Sequence, residues 1–279
     1  MGRKNVRRGL VFLLFLLVSV GCSRREEAPV SVDISRGEEA AREQLDTTAA
    51  TVSIETVLEE IEKKIQSVWS YEATFEIDFG EKETVEGNIA FVKPDRLRME
   101  MIVGTDEKTR QYLYSDGQTL WQYLPSFMMA SKVDLVALKA EFPEEAAALI
   151  EGQSDIQGAL ADIDKGKIEY LGVTVLNGES MYVFQGDVAS GYDSEMEIAG
   201  IKVWISQDDG LQRRVEYYSA DGERIYQHQL GQVEVNIEIP AERFHFDAPE
   251  GVTVLDTTEE GMEFLKGKEG QNKTGVDGL

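Results

Sequence analysis

Two histidines, one cysteine and 52 carboxylates are what this 279-residue chain offers for chemistry. His228 and His245 each lie in stretches that read as strands. The chain has no Gly-x-Ser-x-Gly elbow, no His-Glu-x-x-His pair and no Gly-x-x-x-x-Gly-Lys-Ser/Thr loop. Asp162-Ile-Asp164-Lys-Gly166 opens like a calcium loop, but its glycine falls one place early and the later ligands are missing. A carboxylate pair for hydrolysis is available in principle. Most of the acids, however, alternate with apolar residues along strands or sit on exposed helix faces, which is the pattern of a solvated surface. The inventory points away from an enzyme and toward binding, with no cofactor and no metal.

The exception is Cys22. Arg3, Lys4, Arg7 and Arg8 precede an apolar run from Leu10 to Val18 that is far short of the ~20 residues a membrane-spanning helix needs. A basic start, a short apolar centre and the small residues Ser19 and Gly21 form a secretory signal. Cys22 directly after Gly21 resembles the site at which lipoprotein signal peptidase cuts and the cysteine is acylated. Val20 and Gly21 fit that pattern; Ser19 stands where Leu or Val is usual. An ordinary signal with a chance cysteine is the weaker reading, because a lone free thiol is unusual in an exported protein. N-myristoylation at Gly2 lacks its Ser or Thr, since position 6 is Val. Residues 1–21 are therefore expected to be removed, leaving Cys22 lipidated, with palmitate among its acyl chains. The protein is expected in the bacterial cell envelope, anchored to a membrane (the outer membrane favoured) and facing the periplasm or the exterior.

Composition sets bounds on partners. The formal charge is −24, and losing the four signal-peptide cations with no acid takes it to −28. Such a surface repels phosphate backbones, which excludes nucleic acid, and anionic headgroups, so membrane attachment must come from lipid. With 42% apolar residues the chain can bury a real core. With Cys22 acylated no disulfide is possible, and packing alone must stabilise the fold.

The elements that would position a site follow in order. Residues 22–52, rich in Glu, Arg, Ala, Ser and Thr, read as a flexible tether with an end-to-end distance of about 30 Å. Ser53 can cap a helix in which Ile54, Val57, Leu58, Ile61, Ile65 and Val68 recur at spacings of three and four. After Trp69 the period changes to two, starting with Phe75, Ile77 and Phe79. Strands 88–92, 96–103, 111–114, 119–124, 168–176, 181–186, 201–206, 212–219, 224–230 and 233–239 are joined by tight turns, Asn177-Gly178 being the strongest hairpin signal. Strands in such succession imply an antiparallel meander. Residues 132–163, rich in Ala, Leu and Glu, read as short helices with Pro143 at a first helical position and Gly152 as a stop. They must lie against a sheet face or over its mouth. Residues 257–279 read as a C-terminal tail, Gly- and Lys-rich and frayed from Gly267 onward.

Large, soft apolar side chains are in excess. Phe91, Met99 and Met101 fall in the early strands, Tyr112, Tyr114, Trp121 and Tyr123 crowd one hairpin, and Phe127, Met128 and Met129 lead toward the helical insertion. Such residues fill cores, and they also adapt to irregular apolar ligands.

Four stretches, in order, resemble the LolA/LolB family of outer-membrane lipoprotein-sorting carriers. They are Ser70-Tyr-Glu-Ala-Thr-Phe75, Gly87 to Arg98, Ser115-Asp-Gly-Gln-Thr-Leu-Trp121 with Tyr123 and Pro125, and Phe244-His-Phe246-Asp-Ala-Pro249-Glu-Gly-Val-Thr-Val254. Gln118 stands where the family has Lys. The resemblance spans about residues 54–256. It implies an α+β domain over 53–256, mainly β: a strongly curved antiparallel sheet forming an incomplete barrel, with one N-terminal helix and a helical lid at about 132–163. It implies an apolar cavity for the acyl chains of lipoproteins or lipids, lined by the ten apolar residues just named. It also implies that Lys93, where the carrier has an arginine before the proline, couples the lid to cargo, although lysine lacks the planar fork. Anchored at Cys22, the chain would serve lipoprotein sorting as a fixed acceptor or local chaperone. The alternative is an envelope-sensing or regulatory lipoprotein that uses the same fold to bind a carrier or other envelope protein.

Overall fold

The computed structural model describes residues 53–80, 84–154, 158–189 and 197–274. The signal, Cys22 and the tether lie outside them. Helix α1 (Ile54–Ser67) begins where the sequence predicts, with the Ser53 hydroxyl accepting from the Thr56 N–H at 3.3 Å.

Eleven strands follow as two meanders. The first holds β1 (Ser70–Asp78), β2 (Val85–Val92), β3 (Arg96–Val103), β4 (Gln111–Asp116), β5 (Thr119–Leu124) and β6 (Met129–Asp134). The helical insertion then supplies α2 (Leu135–Glu141), α3 (Pro143–Ser154) and α4 (Gly158–Asp162). The second meander holds β7 (Glu169–Leu176), β8 (Glu179–Asp187), β9 (Gly200–Ser206), β10 (Gln212–Tyr218) and β11 (Arg224–Val235). Strand β11 pairs antiparallel with β1 and welds the two halves. The chain ends with β12 (Thr253–Asp256), parallel to β6, and α5 (Thr258–Thr274).

The result is one open 12-stranded sheet in the order β12-β6-β5-β4-β3-β2-β1-β11-β10-β9-β8-β7. This is the expected incomplete barrel: mainly β, with helices on the concave side. Two cores fill that side. Under the first meander, Phe75, Ile89, Leu97 and Met99 meet Leu135, Leu138 and Phe142 of the insertion, and Leu265 of α5. Under the second, Tyr182, Phe184, Val203 and Ile205 meet Val57 and Ile61 of α1 and Ala159 of α4.

Several elements differ from the sequence expectation. Residues 129–134 form β6 rather than the start of the lid, which begins at Leu135. The two strands expected at 224–230 and 233–239 are one strand, β11, ending at Val235. Residues 258–274, expected to belong to a tail that frays from Gly267, form α5, because Leu265 is only 3% exposed against the insertion and an apolar anchor can offset the low helix propensity of its glycines.

From Asn236 the chain crosses the convex face as a strap. Ile237, Ile239 and Phe244 pack on Ala90 and Val92, and the strap then reaches the far edge as β12. His245, expected in a strand, ends the 3-10 turn Ala241–Phe244 within this strap.

Candidate functional site

Register decides which apolar residues share a face. Phe91, Leu97, Ser115 and Leu120 stand opposite one another across β2–β5, and so do Ile89, Met99, Leu113 and Gln122. Side chains alternate along each strand, so Phe91, Met99 and Met101 point into the concave core. They are 6%, 8% and 8% exposed there. Tyr112, Tyr114, Trp121 and Tyr123 occupy the intervening positions, and the structure places them on the opposite, convex face. The expectation that all seven line one cavity is corrected by the strand period itself.

What gathers the four aromatics is Phe246 of the strap. Its ring lies 5.1, 5.3 and 5.2 Å from those of Tyr114, Trp121 and Tyr123, and Tyr112 stacks beside them. The hairpin and the C-terminal segment singled out in the sequence are thus two halves of one clasp. Burial raises the Tyr112 and Tyr114 hydroxyls above the ordinary phenol range and keeps them neutral. Phe127 and Met128 also fall outside the concave face: they form the β5–β6 turn and are 63% and 46% exposed. Met129, half-buried, starts β6 opposite Thr253.

The structure places Lys93 at the end of α1. Its ammonium donates to the Ile65 carbonyl at 2.9 Å, which also accepts the Val68 N–H at the C-terminal end of α1, where a cation complements the helix dipole. The lid is held instead by Lys139 of α2, which sequence reasoning missed. Its ammonium lies 2.5 Å from the Asp95 carboxylate and donates to the Gly117 carbonyl at 2.9 Å. Ser115 Oγ donates to the Asp95 carbonyl, so two turns at one end of β2–β5 are tied to each other and to α2. Lys266 of α5 pairs with Glu141 at the end of α2.

Beneath these contacts Leu135, Leu138, Phe142, Ala146, Leu149 and Ile150 are each at most 6% exposed. The concave face is apolar, as a cargo surface must be, and in this conformation α2, α3 and α5 occupy it. A separate pocket of about 410 Å³ opens over β1–β3 and β11. Its lining includes Glu76, Glu86, Glu100, Asn88 and Arg110, which make it unlike an acyl-chain site. Among the described residues no group of three or more His, Cys, Asp or Glu is placed to hold a metal ion. His228 faces inward from β11, edge-on to Phe75 at 6.1 Å. Although the residue keeps some surface, burial of its ring pushes it down to about 4.

The fold therefore defines a class: an open, strongly curved sheet with a helix-covered concave face. No family model matches the chain. An uncharacterized protein of Methanocaldococcus jannaschii is 23% identical over 207 residues, which cover 71% of this chain and 54% of that protein. The chain thus spans about half the length of this curated relative. Among solved structures, an uncharacterized conserved protein from Thermus thermophilus is similar with a TM-score of 0.48 and 12% identity, over 74% of this chain and 99% of that one. Lipoprotein LppX of Mycobacterium tuberculosis has a TM-score of 0.41 and 15% identity, over 68% and 100%. An outer membrane lipoprotein-sorting protein domain from Vibrio parahaemolyticus has a TM-score of 0.33 and 11% identity, over 68% and 95%.

Proposed function

We propose that this protein binds the acyl chains of lipids or lipoproteins against its concave sheet face, and that Cys22 carries the lipid anchoring it in the cell envelope. The observation that carries the reading is the apolar concave surface of β1–β6, covered by short helices that a few polar contacts hold closed. Binding needs no covalent chemistry. Burying each methylene of a chain contributes about 0.8 kcal/mol, so a chain of ordinary length can displace the apolar side chains of α2 and α3. Those side chains stand in for cargo while the lid is shut.

Anchored at Cys22, the protein would receive, hold or hand over cargo at one membrane, the outer membrane favoured, as lipoprotein sorting requires. A second reading, an envelope-sensing or regulatory module for a protein partner, is favoured by the same helices: they leave the concave face filled rather than empty. Titration of the purified Cys22→Ala protein with a fluorescent fatty acid separates the two. Saturable uptake supports acyl-chain binding, and no uptake at any concentration below the probe's own aggregation point argues for the partner module. Radiolabelled palmitate incorporated by the native protein and not by Cys22→Ala tests the anchor.

A further inference from the structure

Among the described residues the sheet ends in two edge strands, and these are built differently. Edge strand β7 is interrupted by a bulge between Tyr170 and Gly172 and starts at Glu169, just past Lys165 and Lys167; bulges and edge charges discourage pairing with another strand. Edge strand β12 has no bulge, and the one charge within it is Asp256 at its end. Val254 and Leu255 are 41% and 45% exposed, and Phe127 and Met128 extend the apolar rim at its start, where the Thr253 N–H reaches the Met128 carbonyl at 2.8 Å.

The hydrogen bonds of β12 fix which groups face outward. The N–H groups of Thr253 and Thr257 point to β6, onto Met128 and Lys132. By the two-residue period of a parallel ladder, Val254 and Asp256 present their N–H and C=O groups away from the sheet. The surroundings are acidic: Glu250, Glu259 and Glu260 are exposed around the strand, and Lys132 of β6 is taken by Asp256 at 3.2 Å.

We propose that β12 is a docking strand for an extended segment of a partner protein, apolar at alternate positions and flanked by lysine or arginine. Strand addition would satisfy the outward groups of Val254 and Asp256. Apolar side chains of the guest would lie beside Val254 on one face, the residues between them beside Leu255 on the other, and its flanking cations would meet the three glutamates. The same acidic rim disfavours a second copy of this chain, which would bring like charges together. The concave face takes no part, so the proposal stands apart from the acyl-chain reading and goes beyond it.

The test uses the purified Cys22→Ala protein and a fluorescein-labelled peptide, Lys-Lys-Val-Thr-Val-Thr-Val-Lys-Lys, followed by anisotropy. Val254→Pro removes an outward N–H and leaves the bonds to β6 intact. The variant is expected to bind the peptide about tenfold more weakly, the effect of losing roughly one hydrogen bond. The same peptide with glutamates at its ends should bind the native edge at least as weakly. If Val254→Pro fails to fold, Glu259→Lys with Glu260→Lys replaces it, with the same expected loss for the basic peptide. No binding by the unmutated edge, equal binding by all variants, or self-association that Val254→Pro abolishes would each overturn the proposal. Fatty-acid uptake should be unchanged in Val254→Pro, so a failure here leaves the acyl-chain reading standing.

Discussion

Replacing Lys139 with Met is expected to loosen the lid without unfolding the domain. Methionine keeps most of the apolar stem and a similar helix propensity, so the packing of α2 is retained and only the ammonium is lost. The side chains of Lys139 and Asp95 are 35% and 25% exposed, which places the pair between a surface ion pair and a buried one. Surface pairs contribute about 0.2–1 kcal/mol, and hydrogen bonds to charged groups about 1.5–3 kcal/mol. With screening at a third exposure, loss of both contacts should cost the closed state roughly 1–1.5 kcal/mol, or about tenfold in the opening equilibrium. When binding requires opening, the apparent Kd falls by the same factor, so the variant should take up fluorescent fatty acid about tenfold more tightly. Amide exchange over α2 should accelerate in parallel. Asp95→Asn should have a similar effect, and the double variant should add little to either single change. Unchanged affinity together with unchanged exchange over α2 would refute the assignment of Lys139 as the latch.

Other outcomes follow from the same contacts. Arg213, 6% exposed, bridges Glu179 at 2.9 Å and Asp209 at 2.6 Å between two hairpin turns, so Arg213→Ala should cost about 3 kcal/mol in urea unfolding by stranding two carboxylates. Phe246→Ala should cost about 2 kcal/mol, less than a fully buried ring, and should admit proteolytic cuts between residues 236 and 252 as the strap comes loose. His228 has a folded-state value of about 4, below its unfolded one near 6.5. Above pH 6.5 it is neutral in both states and pH-independent. As pH falls toward 4 the unfolded chain takes up the proton first, so the fold loses up to about 3 kcal/mol through this group alone. Thermal melts of native protein and His228→Leu should therefore diverge between pH 6.5 and 4, the native protein losing more.

The meanders were legible because glycine turns and two-residue alternation are local signals. Asn177 and Gly178 indeed take positive φ, as the hairpin requires. Strand β6 was not legible: in Met-Ala-Ser-Lys-Val-Asp the alternation is weak, and the run merges into the Ala- and Leu-rich insertion. Helix α5 was hidden by Gly261, Gly267 and Gly270. Apolar residues of the site could be listed from sequence but not sorted by face. Tyr112, Tyr114, Trp121 and Tyr123 lie on a convex surface that should face water, and Phe246, supplied by the returning strap, packs on three of these rings. The latch was illegible for a similar reason, since Lys139 and Asp95 are 44 residues apart and each alone reads as a surface charge. Lys93 was placed by resemblance, and the structure gives it to α1 because its ammonium lies beside the Ile65 carbonyl.

The central claim, that the concave face receives acyl chains, is tested most directly by native mass spectrometry of the Cys22→Ala protein purified from a membrane-containing bacterial host. The account predicts a protein population carrying lipid or acylated peptide, enlarged in Lys139→Met. A spectrum showing only the unliganded protein in both forms would contradict it.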